Sequence, residues 1–171
     1  MPVPAAPLSL ILGGTRSGKS QHAERIITAQ PPPWVYIATA QAFDDEMRER
    51  IAIHRARRDV GWVVLEEPLH LARALADAGD RPVLVDCLTV WLSNLMLADR
   101  DIAAATETLD AALVRRGAPT VLVSNEVGLG IVPDNALARA FRDAAGRLNQ
   151  HFAARADTVL FLVAGLPMRV K

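Results

Sequence analysis

The chain has 171 residues, which is enough for one ordinary domain and too few for two typical ones. Its 19 basic and 19 acidic residues cancel, so the excess of positive charge that a general nucleic-acid binder needs is missing, and we expect no nucleic-acid partner. The longest apolar stretch, Val159–Met168, is much shorter than the ~18 residues that indicate a membrane span. These values exclude a membrane-spanning chain and favour a single globular domain.

The N-terminal composition and the cysteine content bear on the compartment that we expect for this protein. Residues 1–7 are rich in Pro and Ala and contain no basic segment, so we expect a flexible extension rather than a secretory signal. The domain itself is predicted to span residues 8–171. Cys87 is the single cysteine and cannot form an internal disulfide, which fits a reduced cytoplasm.

Short apolar runs alternate with helical patterns along the whole chain, which is typical of an α/β domain with a mostly parallel sheet and helices on both faces. The strands are predicted at Leu8–Leu12, Trp34–Thr39, Trp62–Glu66, Val83–Leu88, Thr120–Ser124 and Thr158–Ala164, with a short edge strand in the tail Pro167–Lys171. The helices are predicted at Gly18–Ala29, Asp44–Arg58, Leu69–Ala78, Thr89–Ala98, Asp101–Arg116 and Asn135–Ala156.

The strongest motif follows the first strand and opens the first helix. It has the form G-x-x-x-x-G-K-[ST], in which backbone N–H groups and a helix N-terminus hold phosphate oxygens, the lysine reaches the β- and γ-phosphates and the last hydroxyl contacts Mg²⁺. Lysine is rare here, with Lys171 as the only other one. The alternative is a glycine-rich turn without a ligand. The predicted phosphate-binding residues are Gly13, Gly14, Thr15, Arg16, Ser17, Gly18, Lys19 and Ser20.

An acidic partner for this loop is predicted at the end of another buried strand. Asp86 ends the apolar run Val83–Val85, and its carboxylate could hold Mg²⁺ together with Ser20, because this cation prefers oxygen ligands. The alternative is a strand that simply enters an Asp-capped turn.

The pattern of the Asp44–Arg58 helix is acidic at its start and basic at its end, which suits the helix dipole. His54 lies one turn from both Arg50 and Arg58, and these cations favour the neutral imidazole that a nucleophile requires. The alternative is a solvated histidine in a basic helix end. The other histidines, His22, His70 and His151, have weaker settings and are interpreted as structural or surface residues.

Two polar segments follow predicted strands at the carboxyl edge of the sheet, where open α/β folds bind ligands. These are Thr39–Gln41 and Ser124–Pro133, and the second contains Gly128 and Gly130. Each segment is either a ligand-binding loop or an ordinary turn.

Taken together, these segments resemble the bifunctional adenosylcobinamide kinase / adenosylcobinamide-phosphate guanylyltransferase family of cobalamin biosynthesis. The resemblance extends from Leu10 to Lys171, and the two segments around His54 and Asn125–Pro133 distinguish this family from other proteins with the same phosphate-binding loop. Its matching pieces are residues 13–20 with His22–Glu24, Tyr36–Ala40, Asp44–Met47 with Arg50, Ile51, His54 and Arg55, Asn125–Gly128 with Gly130–Pro133, and Phe141–Asp143 with Gly146, Asn149 and Gln150.

The resemblance implies two reactions. The hydroxyl of adenosylcobinamide is phosphorylated with ATP or GTP, and GMP is then transferred from GTP to that phosphate, giving adenosyl-GDP-cobinamide and pyrophosphate. His54 stands at the position of the family's GMP-carrying histidine, so His54 and Lys19 are the implied catalytic residues. The implied nucleotide contacts beyond residues 13–20 are Thr39, Ala40, Gln41, Arg55, Ala56, Arg57, Arg58, Glu66 and Asp86.

The resemblance also implies a P-loop domain of the recombinase type, a homotrimer and Mg²⁺ as cofactor. One departure concerns Ala52 and Ile53, which are apolar where some relatives carry polar residues or a second histidine, so His54 is the one candidate nucleophile in this helix. Two other readings remain open from the residues: a kinase that acts on another small alcohol, and a nucleotide-switched assembly protein.

Overall fold

The computed structural model describes residues 7–41 and 60–171. The predicted helix Asp44–Arg58 and residues 1–6 lie outside this part of the chain. Its strands are β1 Leu8–Gly13, β2 Trp34–Ala38, β3 Trp62–Glu66, β4 Val83–Asp86, β5 Thr120–Asn125, β6 Thr158–Val163 and β7 Leu166–Arg169. Its helices are α1 Lys19–Thr28, α2 Leu71–Ala78, α3 Leu88–Leu97, α4 Ile102–Val114 and α5 Ala136–Arg155.

The strands form one seven-stranded sheet in the order β3-β2-β4-β5-β1-β6-β7. All neighbours are parallel except β6 and β7, which pair antiparallel. The prediction of an α/β domain with a mostly parallel sheet is confirmed. Since β5 is inserted between β1 and β4, the end of β5 lies between the phosphate-binding loop and Asp86.

Helices cover both faces of the sheet, as its continuous apolar strands require. On one face α1 packs through Ala23 and Ile27 against Ile11 and Leu84. The other face carries the larger core, to which α2, α3, α4 and α5 contribute side chains such as Trp91 and Phe152, both almost fully buried. No helix in the described part of the chain is long and apolar enough to cross a membrane.

Helix and strand ends differ from the predictions by one or two residues, and capping explains two of them. The predicted helices at Asp101 and Asn135 begin one residue later, because both residues have extended backbones and accept a hydrogen bond from a backbone N–H three residues on, at Ala104 and Ala138. β4 ends at Asp86 rather than at the predicted Leu88, which instead begins α3.

The C-terminal tail forms a hairpin with β6. Ala164 and Gly165 connect β6 to β7 with φ angles of 51° and 80°, the left-handed values that two-residue hairpin turns require. The predicted edge strand in the tail is therefore present, starting one residue earlier at Leu166. Pro7, the last residue of the predicted extension, is tied to the sheet because its carbonyl accepts a hydrogen bond of 3.1 Å from the N–H of Thr120.

Candidate active site at the carboxyl edge of the sheet

The loop between β1 and α1 is held in shape by its glycines and its own backbone. Gly13 has a φ of 154°, and a Cβ there would stand 2.6 Å from Ser17 Oγ and 2.7 Å from the carbonyl of Leu162, so only glycine fits. Gly18, with a φ of 92°, precedes α1. The N–H of Gly165, in the β6–β7 turn, donates to the carbonyl of Ser17 at 3.0 Å. The predicted strand–loop–helix context of the motif is present.

Lys19 begins α1 and is 7% exposed. Its ammonium donates to the carbonyl of Gly14 at 2.5 Å and to Ser17 Oγ at 3.4 Å. Burial lowers the pKa of Lys19, and electrostatic interactions with Cys87 and Asp86 oppose that effect. Burial, reinforced by Asp86, raises the pKa of Cys87 to about 11, so this thiol is uncharged at neutral pH.

Asp86 ends β4 on the face of the sheet that α1 covers. One of its carboxylate oxygens, Oδ2, accepts a hydrogen bond of 2.7 Å from the hydroxyl of Tyr36. Ser20, the second residue of α1, is half-buried. No group of three or more His, Cys, Asp or Glu side chains that could hold a metal by themselves occurs among residues 7–41 and 60–171. A hydroxyl and a carboxylate beside a phosphate-binding loop suit Mg²⁺, which takes most of its ligands from phosphates and water.

Thr39 fixes the chain where β4 ends. Its hydroxyl accepts a hydrogen bond from the N–H of Cys87 and donates one to the Cys87 carbonyl, both at 2.8 Å. Asn94, buried in α3, donates to the carbonyls of Thr39 and Pro68 at 2.9 and 3.0 Å. The ends of β2, β3 and β4 are thereby joined through side chains on one edge of the sheet.

A second buried polar network holds the end of β5. Asn125, the last residue of β5, pairs with Gly13 of β1. On the side of β5 that faces β4 no strand partner remains, because β4 ends at Asp86, opposite Val123. The N–H of Asn125 therefore donates to Thr89 Oγ1 at 2.6 Å. Ser124 donates to Asn149 Oδ1 at 2.7 Å, and Asn149 donates to the carbonyl of Asn125 at 3.2 Å. The segment after β5 is therefore fixed beside the phosphate-binding loop, where Glu126 N–H bonds the carbonyl of Gly13 at 3.0 Å.

The structure brings part of the predicted site together. Residues 13–20, Asp86 and Thr39–Gln41 all lie at the carboxyl edge of the sheet. Thr39 is fully buried with its hydroxyl bonded to Cys87, so any contact that it makes with a nucleotide is through other atoms. Glu66 lies at the same edge on the outermost strand, four strand positions from β1, which is about 19 Å at the usual strand spacing. His54, Arg55, Ala56, Arg57 and Arg58 lie outside the described residues.

Sequence reasoning did not single out the side chains that support this edge. Tyr36 is the only tyrosine of the chain and stands inside an apolar strand, and Asn94 and Thr89 are polar residues in the largely apolar helix α3. A polar side chain in an element that is otherwise buried was the available signal, because such a group needs a hydrogen-bond partner.

These features define a class of protein. A parallel sheet with a G-x-x-x-x-G-K-S loop after its first strand, a buried lysine and an acidic strand end nearby is the arrangement of a P-loop nucleotide-binding enzyme. Comparison with known proteins identifies the family: residues 9–170 match the family described as cobinamide kinase / cobinamide phosphate guanyltransferase. The chain belongs to this family.

Known relatives match along nearly the whole length of the chain. The bifunctional adenosylcobalamin biosynthesis protein CobP of Pseudomonas aeruginosa is 52% identical over 167 residues, covering 95% of this chain and 96% of that protein. The CobU proteins of Salmonella typhimurium and Escherichia coli, with the same description, are 44% and 42% identical over 179 residues, 95% of this chain and 98% of each relative. The family, the α/β P-loop fold and the class of enzyme, a cobinamide kinase and guanylyltransferase, are thus confirmed.

Proposed function

We propose that this enzyme phosphorylates the hydroxyl of adenosylcobinamide with ATP or GTP, and then transfers GMP from GTP to that phosphate through a covalent GMP adduct of His54. The phosphate-binding loop with Lys19 beside Asp86 is the observation that carries the nucleotide chemistry. The bifunctional family and the relatives that match end to end support the acceptor. The position of His54 in the sequence supports the carrier.

In the first reaction the substrate hydroxyl attacks the γ-phosphate directly. The loop N–H groups and Lys19 would bind the phosphates and stabilise the charge that develops on their oxygens, which is the main contribution of protein groups to phosphoryl transfer. Mg²⁺, when bound, would neutralise phosphate charge at this position. Ser20 and Asp86 are the side chains that would hold it.

In the second reaction a neutral His54 nitrogen attacks the α-phosphate of GTP. A P–N bond forms, the bond to the bridging oxygen breaks and pyrophosphate leaves. A phosphate oxygen of adenosylcobinamide phosphate then attacks the same phosphorus, the P–N bond breaks and adenosyl-GDP-cobinamide is released. Since Glu66 lies about 19 Å from β1 by strand spacing, we assign it to the base or ribose of a nucleotide rather than to its phosphates.

The test is labelling with GTP that carries the radioactive atom in its α-phosphate. The wild-type protein should acquire a label that survives denaturing electrophoresis and is labile in acid but stable in base, as a phosphoramidate is. His54→Ala should lose this label and all GMP transfer, while phosphorylation of adenosylcobinamide continues. His70→Ala, which removes an exposed histidine before α2, is the matched control and should label normally.

Two results would contradict the proposal. A label that persists in His54→Ala, or that is stable in acid, would place the adduct on another residue. Transfer of the γ-phosphate without any α-phosphate label in the wild type would leave a kinase alone, and nucleotide hydrolysis without either transfer would favour a nucleotide switch.

Assembly, cofactor and compartment form a separate part of the proposal. We propose a homotrimer in the cytoplasm that uses Mg²⁺, on the resemblance to the family and on the single cysteine. Light scattering with size-exclusion chromatography should give three times the mass of the 18.5 kDa chain. A monomer at the concentration of the activity assay would contradict the trimer.

A further inference from the structure

The hydroxyl of Tyr36 makes a short hydrogen bond from one strand to the next. Tyr36 lies in the middle of β2 opposite Leu84 of β4, and Asp86 follows Leu84 by two residues, so both side chains lie on the face that α1 covers. The hydroxyl donates to Asp86 Oδ2 at 2.7 Å. A hydrogen bond to a charged oxygen at this distance is stronger than one between neutral groups.

The ring of Tyr36 is held so that its hydroxyl cannot move far. Tyr36 is 4% exposed, and its ring meets the ring of Trp62 edge-on, with centroids 6.0 Å apart and planes at 78°. A phenylalanine would keep this packing and lose the hydrogen bond to Asp86. The hydroxyl therefore has an effect on Asp86 that can be separated from the contribution of the ring to the core.

The two oxygens of the Asp86 carboxylate differ in their hydrogen bonding. Oδ2 is bonded to Tyr36, whereas among residues 7–41 and 60–171 no hydrogen bond to Oδ1 is found. One oxygen fixes the rotation of the carboxylate and the other remains for a ligand. This is the usual relation between a ligating carboxylate and the hydrogen-bonding group that orients it.

We propose that Tyr36 is a positioning residue for the divalent cation of the nucleotide complex, which it serves by holding Asp86 Oδ2 so that Oδ1 contacts the cation or its bound water. This inference rests on the proposed role of Asp86 toward Mg²⁺. The rival interpretation is a hydrogen bond that stabilises the sheet and has no effect on metal use.

The first experiment measures the kinase rate as a function of Mg²⁺ concentration. In Tyr36→Phe the half-saturating Mg²⁺ concentration should rise about tenfold to a hundredfold, the usual cost of losing a group that orients a metal ligand. The rate at saturating Mg²⁺ should fall much less, since Asp86 itself remains. Thr120→Val is the matched control, because it also removes a buried hydroxyl with a 2.7 Å hydrogen bond, which this hydroxyl, at the start of β5 and far from the site, accepts from Arg116.

A merely structural hydrogen bond gives a different result. Tyr36→Phe and Thr120→Val would then both lower the melting temperature, and both would keep the wild-type Mg²⁺ dependence. That outcome would overturn the inference.

The second experiment needs no activity and keeps the hydroxyl of Tyr36. Because the chain has one tyrosine, protein made with 3-fluorotyrosine gives a single ¹⁹F resonance, from Tyr36. Adding Mg²⁺ to the complex with a non-hydrolysable GTP analogue should shift this resonance. In Asp86→Asn, which can still accept the hydrogen bond but carries no charge, the metal-dependent shift should disappear.

The two experiments separate failure of this inference from failure of the proposed metal site. If Asp86→Asn changes the Mg²⁺ dependence and Tyr36→Phe does not, the metal site stands and the positioning role of Tyr36 is wrong. If neither variant changes the Mg²⁺ dependence and Mg²⁺ does not shift the wild-type ¹⁹F resonance, Asp86 does not bind the cation. The proposed metal site and the inference about Tyr36 then both fail.

Discussion

Two buried cations in the described part of the chain lie at opposite edges of the sheet and differ in their hydrogen bonds. Arg116, 9% exposed, donates to Thr120 Oγ1 and to the carbonyls of Leu75, Gly79 and Arg81 at 2.6 to 3.1 Å. Lys19, 7% exposed, has the Gly14 carbonyl at 2.5 Å and the Ser17 hydroxyl at 3.4 Å as its acceptors in the described part of the chain.

Charge and burial do not distinguish these two residues. Burial lowers the pKa of both, and in each case the charge of an aspartate, Asp86 for Lys19 and Asp80 for Arg116, opposes it. The hydrogen bonds do distinguish them. The guanidinium of Arg116 donates to four protein acceptors, two of which are carbonyls at the carboxyl end of α2. The ammonium of Lys19 instead contacts groups of the loop that would bind phosphate. A buried cation with its donors satisfied is structural, and one poorly satisfied is available for a ligand.

The largest effect is expected at Lys19. Lys19→Met should lower both the kinase and the guanylyltransferase rates by at least about 10²-fold, because preorganised positive charge contributes most to phosphoryl transfer. The free energy of unfolding should change by less than about 1 kcal/mol, since the cost of burying a charge is removed together with its hydrogen bonds. Steady-state rates and urea unfolding measure the two quantities.

Lys171→Met is the matched control for that substitution. It removes the other lysine, which is exposed and contacts the end of α5, and both rates should stay at the wild-type level. Near-normal rates in a folded Lys19→Met protein would remove Lys19 from the mechanism and with it the contrast between the two cations.

Arg116 is expected to show the opposite pattern. Arg116→Met should lower the free energy of unfolding by about 2–4 kcal/mol, because several buried acceptors lose their donor. Both rates at 20 °C should be unchanged while the protein is folded. Urea unfolding is the measurement, and Arg115→Met, an exposed neighbour, should cost much less. A loss of activity without a loss of stability would contradict the structural role.

A third and smaller effect on stability is expected at Glu67, whose carboxylate is partly exposed. Although burial by itself raises the pKa of Glu67, hydrogen bonds from the N–H groups of His70 and Leu69 before α2 outweigh it and hold that pKa below its ordinary value of 4.5. The stabilisation is therefore present above about pH 4.5 and lost as the pH falls through the lowered pKa.

Glu67→Gln should be less stable than the wild type by about 0.5 kcal/mol at pH 7, a small value because the carboxylate is partly solvated. The difference should shrink as the pH falls from 4.5 through the lowered pKa, as urea unfolding across this range would show. Glu107→Gln, on the exposed side of α4, should show no such pH dependence, and an equal difference at pH 3 and pH 7 would argue against the capping bond.

The sequence by itself predicted the α/β class, every strand and every helix of the described residues, and the phosphate-binding loop with Lys19. These features depend on neighbours in the chain: apolar periodicity, glycines at fixed offsets and capping residues such as Asn135. The ends of elements were less accurate. Leu88, for example, belongs to an apolar run that continues β4, and only the hydrogen bonds of Thr39 to Cys87 show that the strand has already ended.

Tertiary structure alone decided which strand ends are neighbours. The insertion of β5 between β1 and β4 places Asn125 beside Gly13, and the pairing of β2 with β4 brings Tyr36 to Asp86, 50 positions away. No local pattern encodes this order, because it depends on the combined packing of both faces of the sheet. The proposed nucleotide-binding residues could therefore be predicted from the sequence, whereas the residues that hold them in place became visible only when distant strands were paired.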